Sequence, residues 1–379
     1  MKIYLDYNAT TPIDREVAQT MQPYLYDYYG NPSSAHSFGK ETKEAIENAR
    51  KQVATSINCK PNEIIFTSGG TESNNFAIKG LAFANEHKGN HIITSTIEHP
   101  AIIEVCKYLE KRGFQISCIP VDEFGLLQLD ELEKAIIPKT ILISVMHANN
   151  EIGTIQPISK IAEIARKYNI VFHTDAAQSV GKCAVDVKEM RVDLLSIAGH
   201  KLYAPKGVGA LYIKDGLVLE KLIHGADHEQ NKRAGTENVL EIVGLGKACE
   251  IAHRDLSKNI EHLKEMRDLL HNRLLEKLTE IKLNGHPLLR LPNTLSLSFK
   301  GIEANILLSE MELKGIAASA GAACHTDTIK LSSVLTAINL DTDFAMGTIR
   351  FSVGRQTTVA EINQASEIIV DIVKRLRSS

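Results

Sequence analysis

Glu63-Ile64-Ile65-Phe66-Thr67-Ser68-Gly69-Gly70-Thr71-Glu72-Ser73-Asn74-Asn75 decides the fold class of this chain. An apolar run over 63–67 reads as a strand, two glycines turn the chain tightly, and hydroxyl-bearing residues open a helix. Working outward, the same alternation recurs. Apolar runs at 91–95, 114–120, 141–146, 170–174, 194–197 and 209–213 predict six further strands. Between them lie helix-spaced patterns such as Ile158, Ile161, Ile164 and Ala165. Strand–helix alternation of this kind predicts an α/β fold with a mostly parallel, seven-stranded sheet covered on both faces. Ligands of such sheets sit beyond the carboxyl ends of the strands, so motifs at strand ends carry the functional argument.

Further along, 237–280 is helical, with Ile260, Leu263, Met266, Leu270, Leu274 and Leu278 on one stripe. Gly285-His286-Pro287 and Leu291-Pro292-Asn293 then break the chain. Strands at 294–299, 316–319 and 349–353 and helices at 304–311, 331–338 and 359–376 predict a smaller α+β domain. The expected division is a large domain over 14–258 and a small one built from 1–13 and 259–379.

Composition narrows the function. The 379 residues are 44% hydrophobic and 23% charged, with 24 glycines and 11 prolines, which excludes a mostly disordered chain. A net charge of −3 lacks the basic surplus of a nucleic-acid binder. No run of about 18 apolar residues is present, so no membrane span is expected. Asp6 interrupts the N-terminus too early for a signal-peptide core, making the cytoplasm the expected location. The six cysteines, at 59, 106, 118, 183, 249 and 324, form no C-x-x-C pair, so neither a metal site nor a disulfide framework is expected.

Several strand-end motifs point to chemistry. The Gly69-Gly70-Thr71 turn offers free N–H groups and a helix dipole to a phosphate. It also fits a plain turn capped by Thr71 or Ser73. Phe172-His173-Thr174-Asp175-Ala176-Ala177-Gln178 puts a carboxylate at a strand end. It could hold a cationic ring nitrogen, or serve as a helix N-cap. Ser196-Ile197-Ala198-Gly199-His200-Lys201 puts a lysine just past another strand. That lysine suits a Schiff base with an aldehyde cofactor, or is a solvated loop residue. His99, in Thr96-Ile97-Glu98-His99-Pro100, could stack on an aromatic ring or move protons, and Asn150 offers an amide at the same edge. Cys324, in Ser319-Ala320-Gly321-Ala322-Ala323-Cys324-His325, reads as an exposed loop thiol able to act as a nucleophile. Arg350, on the last strand, could grip a substrate carboxylate or form a surface ion pair. Neither Gly207-x-Gly209 nor Gly244-x-Gly246 completes a dinucleotide fingerprint.

Taken in order, with Leu5-Asp6-Tyr7-Asn8-Ala9-Thr10-Thr11 and Gly30-Asn31-Pro32-Ser33-Ser34 before them, these motifs resemble the cysteine desulfurase and selenocysteine lyase family. That family lies within the fold-type I, class V aminotransferase group of pyridoxal 5'-phosphate enzymes. The resemblance implies Lys201 as Schiff-base lysine and as the base at the substrate Cα. Asp175 would meet the ring nitrogen, Gln178 the ring hydroxyl and His99 the ring face. Gly70, Thr71 and His200 would hold the phosphate, and Asn150 and Arg350 the substrate carboxylate. Thr236, in Arg233-Ala234-Gly235-Thr236-Glu237-Asn238, would reach the neighbouring subunit's phosphate, implying a homodimer. Cys324 would take sulfur from cysteine as a persulfide, leaving alanine, for transfer to an acceptor protein. Ala198 stands where many desulfurases carry serine, and Ala204 where they carry glycine. The Gly-Ala-Ala-Cys-His run is closer to selenocysteine lyases, which release selenium and alanine and make that activity the alternative. A non-catalytic cofactor-binding scaffold for sulfur-acceptor proteins is the alternative of another class, and the intact Lys201–Asp175–Cys324 set argues against it.

Overall fold

The computed structural model describes residues 2–320, 322–325 and 328–378, the side chains of 322–325 and 328–330 excepted. After a two-residue strand β1 (Ile3–Tyr4), seven strands alternate with helices: β2 (Ile64–Thr67), β3 (His91–Ser95), β4 (Gln115–Ile119), β5 (Thr140–Ser144), β6 (Val171–Asp175), β7 (Leu194–Ala198) and β8 (Gly209–Ile213). They form one sheet in the order β2-β8-β7-β6-β5-β3-β4. All the pairings are parallel except those of β8, which runs against both β7 and β2. The reason is local. Only residues 199–208 separate β7 from β8, too few for the crossover that a parallel neighbour needs.

The apolar runs in the sequence reflect burial on both faces. Every residue of β2, β3, β5, β7 and β8 is buried, whereas the edge strand β4 is part-exposed. One face packs on helices Ser37–Ser56, Ile158–Lys167 and Val239–Arg254. Gly244-x-Gly246 lies inside the last of these. His173 locks the sheet centre: its ring meets Ser144 Oγ on β5 at 2.9 Å and Ser196 Oγ on β7 at 3.0 Å. Burial pushes its pKa down to about 3, so the ring is neutral between the strands.

A separate apolar cluster unites Ile3 and Leu5 with side chains from Leu263 to Val373. Here β9 (Ile281–Asn284), β10 (Thr294–Phe299), β11 (Ile316–Ala317), β12 (Ser319–Ala320), β13 (Ala322–His325), β14 (Thr328–Leu331) and β15 (Thr348–Ser352) follow in turn. A four-stranded sheet has the order β12-β15-β10-β9, and β11 pairs in parallel with β1. Helix Leu256–Lys277 buries the expected Leu263, Met266, Leu270 and Leu274.

Three expectations are corrected. The strand at 316–319 splits, because β11 pairs with β1 and β12 with β15. The helix expected from 331 begins at Ser333, where Ser332 Oγ accepts from Val334 N, and Leu331 belongs to β14. Cys324 is on a strand and not in a loop: it pairs with Ile329 across the β13–β14 hairpin. The alternating run Thr328-Ile329-Lys330-Leu331 supplies the partner strand. The side chain of Cys324 lies outside the described residues.

Candidate active site

The carboxyl ends of the parallel strands open into a cavity of about 320 Å³. Gly70, Thr71, His99, Asn150, Asp175, Gln178, His200, Lys201 and Arg350 all line it, so nine residues read from separate motifs come together. Gly69, between β2 and the helix, has φ 146°, a conformation that only glycine adopts readily. Neither Thr71 nor Ser73 caps this helix. Ser73 Oγ instead meets Thr67 Oγ1 at 2.8 Å and donates to Ala210 O at 3.1 Å. The N–H groups of Gly70 and Thr71 therefore remain available at the positive helix end. A Cβ on Gly70 would come within 3.1 Å of Ala198 Cβ, closing the cradle.

Asp175 ends β6, buried in the sheet centre. Its Oδ1 accepts from Ala177 N at 2.8 Å and its Oδ2 from Asn74 Nδ2 at 2.7 Å. It thus caps its own turn and, through Asn74, is aimed at the cavity. Opposite, Lys201 follows β7. Its Nζ donates to the main-chain oxygens of Asn8 at 2.5 Å and Ala9 at 2.7 Å. Burial, with the Arg350 charge, pushes the Lys201 pKa down to about 8, making a neutral amine accessible near neutral pH.

His99 starts helix Pro100–Glu110, and its Nδ1 accepts from Ala101 N at 3.1 Å. The proton of the neutral ring is thereby placed on Nε2. Burial lowers the pKa of His99, and Lys201 adds to this against the pull of Asp175. Burial, with the Lys201, Lys206 and Lys182 charges, drives the His200 pKa down to about 4, and its Nδ1 lies 3.1 Å from Thr10 Oγ1. Arg350 is held rather than free: Nη2 donates to Asp6 Oδ1 at 2.8 Å and Nη1 to Asn150 O at 3.0 Å.

Residues 3–365 match the model of the class-V aminotransferase family. The chain belongs to that family. Cysteine desulfurase IscS of Dictyoglomus turgidum (strain DSM 6724 / Z-1310) is 51% identical over 377 residues, covering 100% of this chain and 96% of that protein. The structure of a NifS-like protein superposes with a TM-score of 0.94 at 38% identity, over 99% of this chain and 100% of that one. The structure of SspA in complex with cysteine superposes with a TM-score of 0.82 at 36% identity, over 94% of this chain and 100% of that one.

The cofactor of this class-V aminotransferase is pyridoxal 5'-phosphate. The residues present fit it. The cavity volume falls among small-molecule pockets of roughly 300–1,000 Å³. A buried carboxylate, free N–H groups at a helix start and a lysine amine line one cavity, the kinds of group that a pyridinium nitrogen, a phosphate and an aldehyde call for. Asn74 Oδ1 and Arg350 Nε, both on lining residues, are buried without partners.

One expected residue lies elsewhere. Thr236 is exposed and lines a separate cavity of about 250 Å³ beside Arg233, whose guanidinium binds Glu72 at the phosphate cradle. Cys324 falls outside the described side chains. Burial raises the pKa of all five other cysteines, for Cys59, Cys106, Cys183 and Cys249 to about 12, so none is a thiolate at neutral pH.

The sequence reading gave no role to Asn8, Asn74, Asp6 or Glu98. Glu98 is buried, accepts from Ser95 Oγ at 2.6 Å and Met146 N at 2.9 Å, and has its pKa raised by burial to about 8. A carboxyl inside an apolar strand-to-helix turn, one residue before His99, was the available signal.

Proposed function

We propose that this class-V aminotransferase is a pyridoxal-phosphate-dependent cysteine desulfurase, converting L-cysteine to L-alanine with a persulfide on Cys324 that passes to an acceptor protein. One observation carries the reading. A part-buried lysine amine and a buried carboxylate face one cofactor-sized cavity that also has the free helix-start N–H groups on its wall, in a chain akin throughout its length to cysteine desulfurases. Asp175 would meet the ring nitrogen, Gln178 the ring hydroxyl and His99 the ring face, with Gly70, Thr71 and His200 on the phosphate. Lys201 would hold the aldehyde carbon covalently until substrate replaces it. When bound, pyridoxal phosphate supplies an electron sink for the substrate carbon skeleton.

The protein's own groups do the rest. Arg350, aligned by Asp6, would grip the substrate carboxylate beside Asn150. Lys201 Nζ, once released, takes the substrate Cα proton. The Cys324 thiolate attacks the substrate Sγ; a new S–S bond forms, the Cβ–Sγ bond breaks, and its electron pair stays with the carbon fragment. That fragment gains protons and leaves as alanine. The test is alanine release from cysteine and from selenocysteine, side by side. Release from selenocysteine alone would move the assignment to selenocysteine lyase, and release from neither would leave a scaffold.

Asp175→Ala should lower turnover about 10²- to 10³-fold, because it removes the fixed charge that keeps the ring nitrogen protonated. Circular dichroism should show the variant folded. Near-normal turnover would mean that another group holds the nitrogen.

We also read the chain as a cytoplasmic homodimer, divided into residues 14–258 and a unit of 1–13 with 259–379. The division is supported by the separate cluster joining Ile3 and Leu5 to the C-terminal side chains. No helix among the described residues is long and apolar enough to cross a membrane. Thr236 is exposed and outside its own chain's cavity, as expected of a residue serving a partner. Tyr26 and Tyr29, 76% and 74% exposed, are aromatic side chains that a second copy could cover. Light scattering should give twice the 41.8 kDa chain mass; a fully active monomer at assay concentration would refute the dimer.

A further inference from the structure

Lys182 has no part in the chemistry above, yet it is buried and bonded to Gln178, which lines the cavity. It donates to Gln178 Oε1 at 2.9 Å and to Asn8 Oδ1 at 3.3 Å. An ammonium offers three donors and no acceptor, so it can meet only the oxygen of the Gln178 amide. That decides which way the amide faces. Gln178 Nε2 points the other way, donating to the Asn8 main-chain oxygen at 3.1 Å, and its second N–H is left for the cavity that Gln178 lines. Asn8 cannot relax this arrangement. Its Oδ1 also accepts from Asn293 Nδ2 at 2.9 Å, and its Nδ2 donates to Thr294 Oγ1 at 2.8 Å. Lys182 and the Asn8 main-chain oxygen thus hold the amide from its two ends, and a flipped amide would set oxygen against an anionic ring oxygen.

We propose that Lys182 is a positioning residue for the cofactor: by holding Gln178 Oε1 it turns the Gln178 N–H toward the ring hydroxyl oxygen. The inference rests on the reading that this cavity takes the pyridoxal ring. Burial, reinforced by the Lys201 and Arg350 charges, pushes the Lys182 pKa down to about 7. The neutral amine still has an N–H for Gln178 Oε1 but gains a lone pair, so it is the ammonium that admits only the amide oxygen.

The test is a fluorescence titration of the cofactor-stripped, full-length chain with pyridoxal 5'-phosphate, as wild type, Lys182→Met, Gln178→Ala and the double variant. Each single substitution should weaken binding about tenfold, the scale of one lost hydrogen bond to a charged group. The double variant should bind within about twofold of Gln178→Ala, because Lys182 acts through Gln178. Lys182→Gln, which keeps an N–H donor, should restore binding to within about threefold of wild type. A wild type that does not bind the cofactor would sink the reading of the site itself. With wild-type binding intact, unchanged affinity in Lys182→Met, or a loss that persists in full on the Gln178→Ala background, would overturn the role of Lys182 alone. Should thermal melts show Lys182→Met unfolded, Lys182→Gln decides. Binding retained, or a loss that vanishes with Gln178→Ala, supports the role, and a persisting loss overturns it.

Discussion

Lys201→Ala should reduce alanine release at least about 10⁴-fold while the protein still binds pyridoxal phosphate. Two functions are lost together, the covalent hold on the cofactor and the base at the substrate Cα, and general-base removal alone accounts for about 10²- to 10⁴-fold. The cradle at Gly70 and the Asp175 carboxylate are untouched, so noncovalent binding survives. The environment of Lys201 explains why no other lysine substitutes. At a pKa of about 8 instead of the ordinary 10.5, its neutral fraction near pH 7 rises about 300-fold. Asn8 O and Ala9 O fix the amine at the cavity wall. Lys182 is closer in sequence to Asp175 than Lys201 is and still further depressed, to about 7, but it does not line the cavity. Lys206 is exposed. Borohydride reduction of the wild type followed by peptide mapping should place the label on Lys201. A label on Lys182 or Lys206 would overturn the assignment.

Lys201, Asp175 and Gly70 were legible in the sequence for a common reason. Each stands at the end of an apolar run, and in a parallel sheet those ends share one edge. Arg350 was legible as a cation on a strand, but its partner Asp6, 344 residues away, was not. Asn8 was hidden more deeply. It is one polar residue in a short N-terminal segment, and its side chain's partners lie 142 to 286 residues along the chain. Local periodicity contains nothing about such long-range hydrogen bonds, although burying an amide demands them. Asn74 was quoted with the phosphate turn, yet its use depends on β2 and β6 meeting in one sheet. The reversed direction of β8 could have been argued from the short link after β7. The β13 strand was missed for a different reason: Ala-Ala-Cys has weak strand propensity, and its pairing depends on Thr328–Leu331, of which only Leu331 was assigned, to the start of a helix.

Cys324→Ala should separate sulfur from selenium. With cysteine, a poor leaving group is bound to Cβ, and departure needs a nucleophile to take the sulfur. The five other cysteines are held as thiols by burial, so none replaces it. Alanine release from cysteine should fall at least about 10³-fold, the barrier rising by about 4 kcal/mol or more. With selenocysteine the carbon–chalcogen bond is weaker and the selenol is already ionised at neutral pH. Once Lys201 has taken the Cα proton, the Cβ–Se bond can break with its electron pair staying on the carbon fragment, which is protonated to alanine while the ionised selenium departs as Se(0), so Cys324 is not required. The variant should keep selenocysteine turnover within about tenfold of wild type, a change near 1.4 kcal/mol. Single-turnover alanine formation is the decisive measurement, because it isolates bond cleavage from the later transfer of the chalcogen to an acceptor. Equal losses on the two substrates would mean that Cys324 attacks either chalcogen. Equal retention would mean that the sulfur leaves by a route not involving this cysteine, and the persulfide step would have to be abandoned.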